Sequence, residues 1–245
     1  MLDTSAPSVG RAYDYLLGGG ASFAADRALA VRLTALYPRL KENLLASRLQ
    51  VADAIAHIAR QGVDQYLDVG AGLPTRPSTH QSARALLPAA RVAYIARAPV
   101  TVAHGAALVP AGVRYTGGDL TEPEALLAAL ELIDLTRPVC LVLALVLQAL
   151  DPGTARTVVA VLVKALPPGS YLVATVGAGD AGRLPDSVWA AGPSEADLSS
   201  FFGGLDLLPP GITRRGEVLC GTGVKPTAAD GGPSSPGRAH GRPRG

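Results

Sequence analysis

Between Asp64 and Val176 the chain passes five times from a short apolar run to a segment with helical signals, and this alternation limits the fold more than any other feature. The first run ends at Val69. RVAYIA follows, then VRYT at 113–116, the almost wholly apolar VCLVLALVL at 139–147, and SYLVATV at 170–176. Strands that repeat with helices between them pair in parallel through right-handed crossovers, so the pattern predicts a mostly parallel sheet with helices on both faces. The run at 139–147, bounded by Pro138 and by Asp151–Pro152, predicts a central strand buried on both sides. Helices are expected near Thr79 to Leu87, after Pro99, over TEPEALLAALELI and at 153–165. In the third of these Thr121 is the cap, with Pro123 and Glu124 in the first turn.

Three helices are predicted ahead of this series. Ser8 caps a short one that the glycines at 18–20 end, FAADRALAVRLTALYP makes a second, and a third runs from about Lys41 to Gln61. In the last, Leu44, Val51, Ile55 and Ile58 recur at three-to-four-residue spacing and form one apolar stripe. After the fifth strand, 177–193 reads as loop, Ser194 caps a helix through Phe202, and LDLL with GEVLCGTG reads as a terminal antiparallel pair. In 225–245, nine of 21 residues are Gly or Pro and apolar periodicity stops, which predicts a disordered basic tail. The expected organisation is a helical cover over 1–62, a ligand-binding α/β domain over 63–224, and the tail.

Composition narrows the function classes. With 48% hydrophobic and 17% charged residues the chain can bury a large core, built from aliphatic side chains because aromatics make up only 4%. The net charge of +2 comes from the tail, where four basic residues face Asp230 alone; the body is close to neutral, which argues against a nucleic-acid-binding face. Cys140 and Cys220 are too few for a disulfide framework or a thiolate zinc site and are expected as buried thiols. His57 and His104 have no ligand spacing around them, so no metal is expected. There is no basic and apolar leader and no apolar run of membrane-spanning length; a soluble cytoplasmic protein, with no membrane partner, is the expectation.

The chemistry is concentrated in YLDVGAGLPT, residues 66–75. Ligands of parallel sheets bind beyond the carboxyl ends of the strands, and glycine lets a backbone turn sharply and approach a ligand closely. A glycine turn also serves merely to bend the chain. Here Thr75 stands where a dinucleotide fingerprint has its third glycine, and Asp68 precedes the glycines by two residues, which disfavours a pyrophosphate cradle. Asp68 is placed instead to accept hydrogen bonds from an amine or, through water, from an amino-acid moiety.

Asp-x-Gly-x-Gly after the first strand, behind a helical N-terminus, resembles class I S-adenosylmethionine-dependent methyltransferases. PSVGRAYDYLLGG, FAADR, LDVGAGLPT, YLV after PPGS, and FFGGLDLLPPG resemble more closely the actinobacterial S-adenosyl methyltransferase family once catalogued as a domain of unknown function. The resemblance spans about Pro7 to Ile212. It implies a Rossmann-like α/β fold, a seven-stranded sheet with its last pair antiparallel, S-adenosylmethionine as cofactor and a small-molecule methyl acceptor. Position by position, it puts Asp68, Gly70 and Gly72 at the methionine end of the cofactor and Asp119 at the adenine amine, with Leu120 beside it. Tyr13, Tyr15 and the Gly18–Gly19 pair would belong to a lid. His80, one turn after the glycine loop, matches a family position that can face the pocket.

Two positions depart from the family pattern. Ala96 occupies the place of the acid that takes the ribose hydroxyls, and Ala98 that of a frequent second acid; Arg97 between them cannot accept a hydrogen bond. Gln148 stands where family members commonly carry an acceptor-side histidine, and glutamine exchanges no proton near neutral pH. A catalytically degenerate relative with a binding or regulatory role is therefore the second reading. A nicotinamide oxidoreductase, with Arg97 meeting a 2′-phosphate, is the third.

Overall fold

A computed structural model describes residues 4–123, 126, 133–178 and 193–227. Its framework is a sheet in the order β3-β2-β1-β4-β5-β8-β6, with β7 also paired to β8. The strands are β1 (Gln65–Val69), β2 (Arg91–Ala96), β3 (Val113–Gly117), β4 (Cys140–Ala144), β5 (Tyr171–Gly177), β6 (Asp206–Leu207), β7 (Thr213–Arg215) and β8 (Val218–Val224). Strands β1 to β5 are parallel, and β8 runs antiparallel to β5 and to both short strands.

The eight pieces fill seven positions. Leu207 pairs with Gly223 and Thr213 with Cys220, so six residues of the edge advance it against three of β8. β6 and β7 are thus one edge strand interrupted by a bulge that contains the cis Pro209–Pro210 bond. The expected terminal antiparallel pair is present in this broken form.

Strand side chains alternate between two buried clusters, as the period of two requires. Leu67, Ile95, Leu141, Leu143 and Ala174 face one side, where α6 (Pro152–Ala165) and α7 (Glu195–Ser200, capped by Ser194) pack. Tyr66, Tyr94, Cys140, Val142 and Val173 face the other, under α3 (Leu40–Arg60), whose Val51, Ile55 and Ile58 supply the predicted stripe. Helix α3 of the N-terminal segment is therefore part of one of the two helical layers of the sheet. Ser47 of α3 is hydrogen-bonded to Thr175 of β5 at 2.8 Å, tying that layer to the strands.

The apolar run at 139–147 is longer than the strand it forms. β4 stops at Ala144 because Leu145, whose amide makes the last ladder bond to the Thr175 carbonyl, takes a left-handed conformation (φ 56°); a 3-10 turn follows over Leu147–Ala149. The apolar residues past the bend are kept for packing, Leu147 in the core and Leu145 against the N-terminal helices. The helix after the glycine turn, α4 (Thr79–Arg84), ends one turn before Leu87 and starts on a Ser78–Gln81 capping box. α5 (Pro99–Leu108) follows β2 as expected. The expected helix after Thr121, most of the 177–193 loop and nearly all of the tail lie outside the described residues.

Helices α1 (Val9–Leu16) and α2 (Ala24–Leu36) form a hairpin beside this core. A fully buried ion pair holds it: Arg11 Nε donates to Asp26 Oδ2 at 2.7 Å, and the amides of Ser8 and Phe23 donate to the same carboxylate. The guanidinium also lies 5.3 Å from the Phe23 ring centroid. Burial pushes Asp26 up, but the Arg11 and amide hydrogen bonds outweigh it and hold the carboxyl below its ordinary range. A depressed carboxyl gives stability that is present above its unfolded pKa and lost as pH falls through the folded value. Asp26→Ala, which leaves Arg11 charged and buried, is expected to cost about 3–5 kcal/mol. Urea unfolding at pH 7 measures that loss, and the wild-type advantage should shrink below about pH 4.

Candidate active site

The order 3-2-1-4-5 reverses between β1 and β4, the place where a parallel sheet opens a crevice at its carboxyl edge. A cavity of about 700 Å³ lies there. It is walled by the ends of β1, β2 and β4, by the Gly118–Thr121 segment after β3, by α3, and by α1.

The floor is the glycine turn. Gly70 (φ 75°) and Gly72 (φ 60°) are both left-handed, which side chains other than glycine adopt only at a cost. A β-carbon on Gly70 would come within 2.4 Å of Val146 Cγ1. Gly72 faces Gly10 of α1, whose own β-carbon position is 3.3 Å from the Gly72 Cα, so backbone meets backbone where α1 closes the cavity. The Gly72 carbonyl accepts a hydrogen bond from the Tyr115 hydroxyl, and Tyr115 stacks on Tyr94 with 5.2 Å between centroids.

Asp68 sits beneath this turn, 3% exposed, lining the cavity. Thr79 Oγ1 donates to its Oδ2 at 2.5 Å. Burial pushes its carboxyl up to about 6, against the opposing pull of the Thr79 bond and of the Arg48 charge. Arg48, on α3, lines the same end of the cavity and its guanidinium reaches towards the Leu73 carbonyl at 3.4 Å. At the opposite end Ala96 closes β2, Arg97 and Ala98 follow it, and Asp119 follows β3. Asp119 Oδ1 accepts from the Thr121 amide (2.9 Å) and hydroxyl (2.8 Å); these bonds, the amide first, hold its carboxyl below the ordinary range. Leu120 lines the wall and packs against the core.

The fold thus brings Asp68, Gly70, Gly72, Ala96, Asp119, Leu120, Tyr13 and Gln148 to one cavity. Gln148 is buried, with its Oε1 accepting from the Gly177 amide at 3.1 Å. Two expected site residues are elsewhere. Tyr15 is 39% exposed and does not line the cavity, because it lies two residues from Tyr13 and so on another face of α1. His80 lines a second cavity, with Asp14, Gly18, Gly19 and His104; its amide donates to the Tyr94 hydroxyl and its Nδ1 lies 2.9 Å from the same oxygen. Burial pushes its imidazole below the usual value. Gly10, Arg48, Thr101 and Tyr115 were not singled out by the sequence; Gly10 lies in the PSVGRAYDYLLGG block but without an assigned role, and the other three lie in no recognisable motif.

A family model described as S-adenosyl methyltransferase matches residues 1–219. The chain belongs to that family. Among solved structures, a protein from Thermobifida fusca YX that carries a provisional methyltransferase label is similar at TM-score 0.81 and 31% identity, over 92% of this chain and 97% of its own. A DUF574 family protein from Streptomyces avermitilis MA-4680 gives TM-score 0.80 at 27% identity, over 91% and 99%. The N-methyltransferase NodS from Bradyrhizobium japonicum WM9, in complex with S-adenosyl-L-homocysteine, shares the fold at TM-score 0.52 and 16% identity, over 89% and 100%. No curated protein matches. The family's cofactor is S-adenosylmethionine. Among the described residues no helix is long and apolar enough to cross a membrane.

The cavity fits that cofactor chemically. An amino-acid moiety carries an ammonium and a carboxylate, and the end beneath the glycine turn offers one anion, Asp68, and one cation, Arg48. Because the folded state raises the Asp68 pKa, it favours the protonated form: the group's stabilising contribution is full below about pH 4 and is lost as pH rises through about 6. The lost stability amounts to about 3 kcal/mol. Urea midpoints from pH 4 to 7 should show this decline in the wild type and a flatter profile in Asp68→Asn. Gly70→Ala should lose about 2–4 kcal/mol through strain and overpacking against Val146, read in the same assay.

Proposed function

We propose that this protein transfers a methyl group from S-adenosylmethionine to a small-molecule acceptor in the cavity between β1 and β4. The observation that carries the reading is the pairing of a left-handed glycine turn with a buried carboxylate and a facing arginine, at the crevice of a family member's sheet. In this reading Asp68 holds the ammonium and Arg48 the carboxylate of the amino-acid end, while the turn at Gly70 and Gly72 lets the backbone pass close by. Asp119 and Leu120 take the nucleoside end. The helices of 1–62 act as cover, with Tyr13 and Gln148 towards the acceptor.

The cofactor supplies an activated methyl on a sulfonium, so no protein nucleophile is needed. The residues of this chain contribute alignment and exclusion of water. Gln148 can position an acceptor hydroxyl or amine but takes no proton near neutral pH, so an acceptor that is already nucleophilic suits this site. The near-neutral body and the closure by α1 support a small molecule over a nucleic acid.

Ala96 and Gln148 favour one second reading, a relative that binds the cofactor without turning it over. Incubating the full chain with methyl-labelled donor and a small-metabolite extract separates the two, since only an enzyme moves label to a new species. Both readings require binding. Isothermal titration with S-adenosylhomocysteine should give saturable heat, and ligand at about 100 times its Kd should stabilise the chain by about 2.7 kcal/mol. No heat at millimolar ligand would remove both.

A further inference from the structure

The nucleoside end of the cavity lacks the acceptor its occupant needs most. A ribose brings two vicinal hydroxyls out of water, each with a proton that must be accepted. Position 96 offers a methyl group, position 98 another, and Arg97 only donates. Among the described lining residues there are two carboxylates, and Asp68 is at the far end. The other is Asp119, and the sheet brings it next to the vacant position. Ala96 is in register with Gly117 of β3, and the Gly118 amide donates to the Ala96 carbonyl at 3.1 Å, so Asp119 follows the residue bonded directly to Ala96.

The local structure prepares this carboxylate. Thr121 fixes Oδ1 with two hydrogen bonds, and among the described contacts Oδ2 has no protein partner. Arg97 is close enough for its charge to favour the ionised form. Ala96 and Ala98, each with no more than a methyl side chain, line the cavity beside it.

Resting on the cofactor reading above, we infer that Asp119, with Arg97 beside it, anchors the ribose hydroxyls in place of the carboxylate that position 96 lacks. Oδ2 accepts from one hydroxyl, and the guanidinium donates to the hydroxyl oxygens. Asp119 then serves the sugar and not the adenine amine, and the cofactor is gripped one strand further from β1 than an acid on β2 would grip it.

Ligand analogues on the full chain test the assignment by titration calorimetry. Asp119→Asn keeps an oxygen for Thr121 and replaces the accepting Oδ2. It should weaken S-adenosylhomocysteine about 10- to 100-fold. The S-inosyl analogue, which has no adenine amine, should suffer the same loss, whereas the 2′,3′-dideoxy analogue should change less than about threefold. Persistence of the penalty with the dideoxy analogue overturns the assignment, as does a loss below about threefold with S-adenosylhomocysteine itself. Should Asp119→Asn not fold, Ala96→Asp in the otherwise unchanged chain decides. A gain below about threefold means the ribose already has its acceptor, and a gain of tenfold or more means it had none. Failure of the wild type to bind S-adenosylhomocysteine at all removes the cofactor reading, and this inference with it; the other adverse results remove this inference alone.

Discussion

The backbone between Val69 and Leu73 bends at two left-handed glycines, with no room for a β-carbon at Gly70, and the rest of the site is arranged around that constraint. Val146 from the turn after β4 presses on Gly70, Gly10 of α1 presses on Gly72, and the Tyr115 hydroxyl holds the Gly72 carbonyl. Three elements far apart in sequence therefore converge on one turn. Each contact fixes the turn relative to a different wall of the cavity, so the geometry at Asp68 is set by packing from all sides.

The N-terminal hairpin has a share in this. Its internal ion pair, Arg11 with Asp26, is satisfied by Arg11, two amides and the Phe23 ring, which offsets the desolvation of two charges. Asp14 of α1 accepts from Thr75 Oγ1, and the Asp14 carboxylate in turn occupies the space beside Gly19. A small apolar cluster of Leu33, Leu40 and Leu44, with Tyr13 and Leu16 of α1 packed against it, joins all three N-terminal helices and has Leu145 at its edge. The left-handed bend at Leu145 thus points an apolar side chain of the β4 run towards the cover.

The charges of the cavity fall into two opposed pairs, Asp68 with Arg48 and Asp119 with Arg97. In the proposed reading they answer the two polar ends of the cofactor. The two acids differ by environment. Asp68 is desolvated under the turn and raised; Asp119 is half-buried, hydrogen-bonded by Thr121 and lowered. Burial thus favours the protonated group at one end of the crevice, and hydrogen bonding the ionised group at the other.

Much of this was legible in the sequence because it is local. The alternation of strands and helices, the stripe Val51, Ile55, Ile58, the caps at Ser8 and Ser194, and the Asp-x-Gly-x-Gly turn depend on residues within a few positions of one another. Asp68, Gly70 and Gly72 were picked out as candidates because strand ends in a parallel sheet share one edge, and Asp119 because its segment matches the family pattern. Arg48, Gly10 and Tyr115 were not, since their roles come from contacts 25 to 62 residues away that leave no periodic trace. Nor could the sequence separate Tyr13 from Tyr15, or turn His80 to the second cavity; only the docking of α1 and the Tyr94 hydroxyl decide that. Hydrophobic period and turn chemistry are properties of short segments and so write the fold into the chain. Which side chains meet in the crevice depends on how whole helices pack, and that is fixed only when the tertiary structure closes.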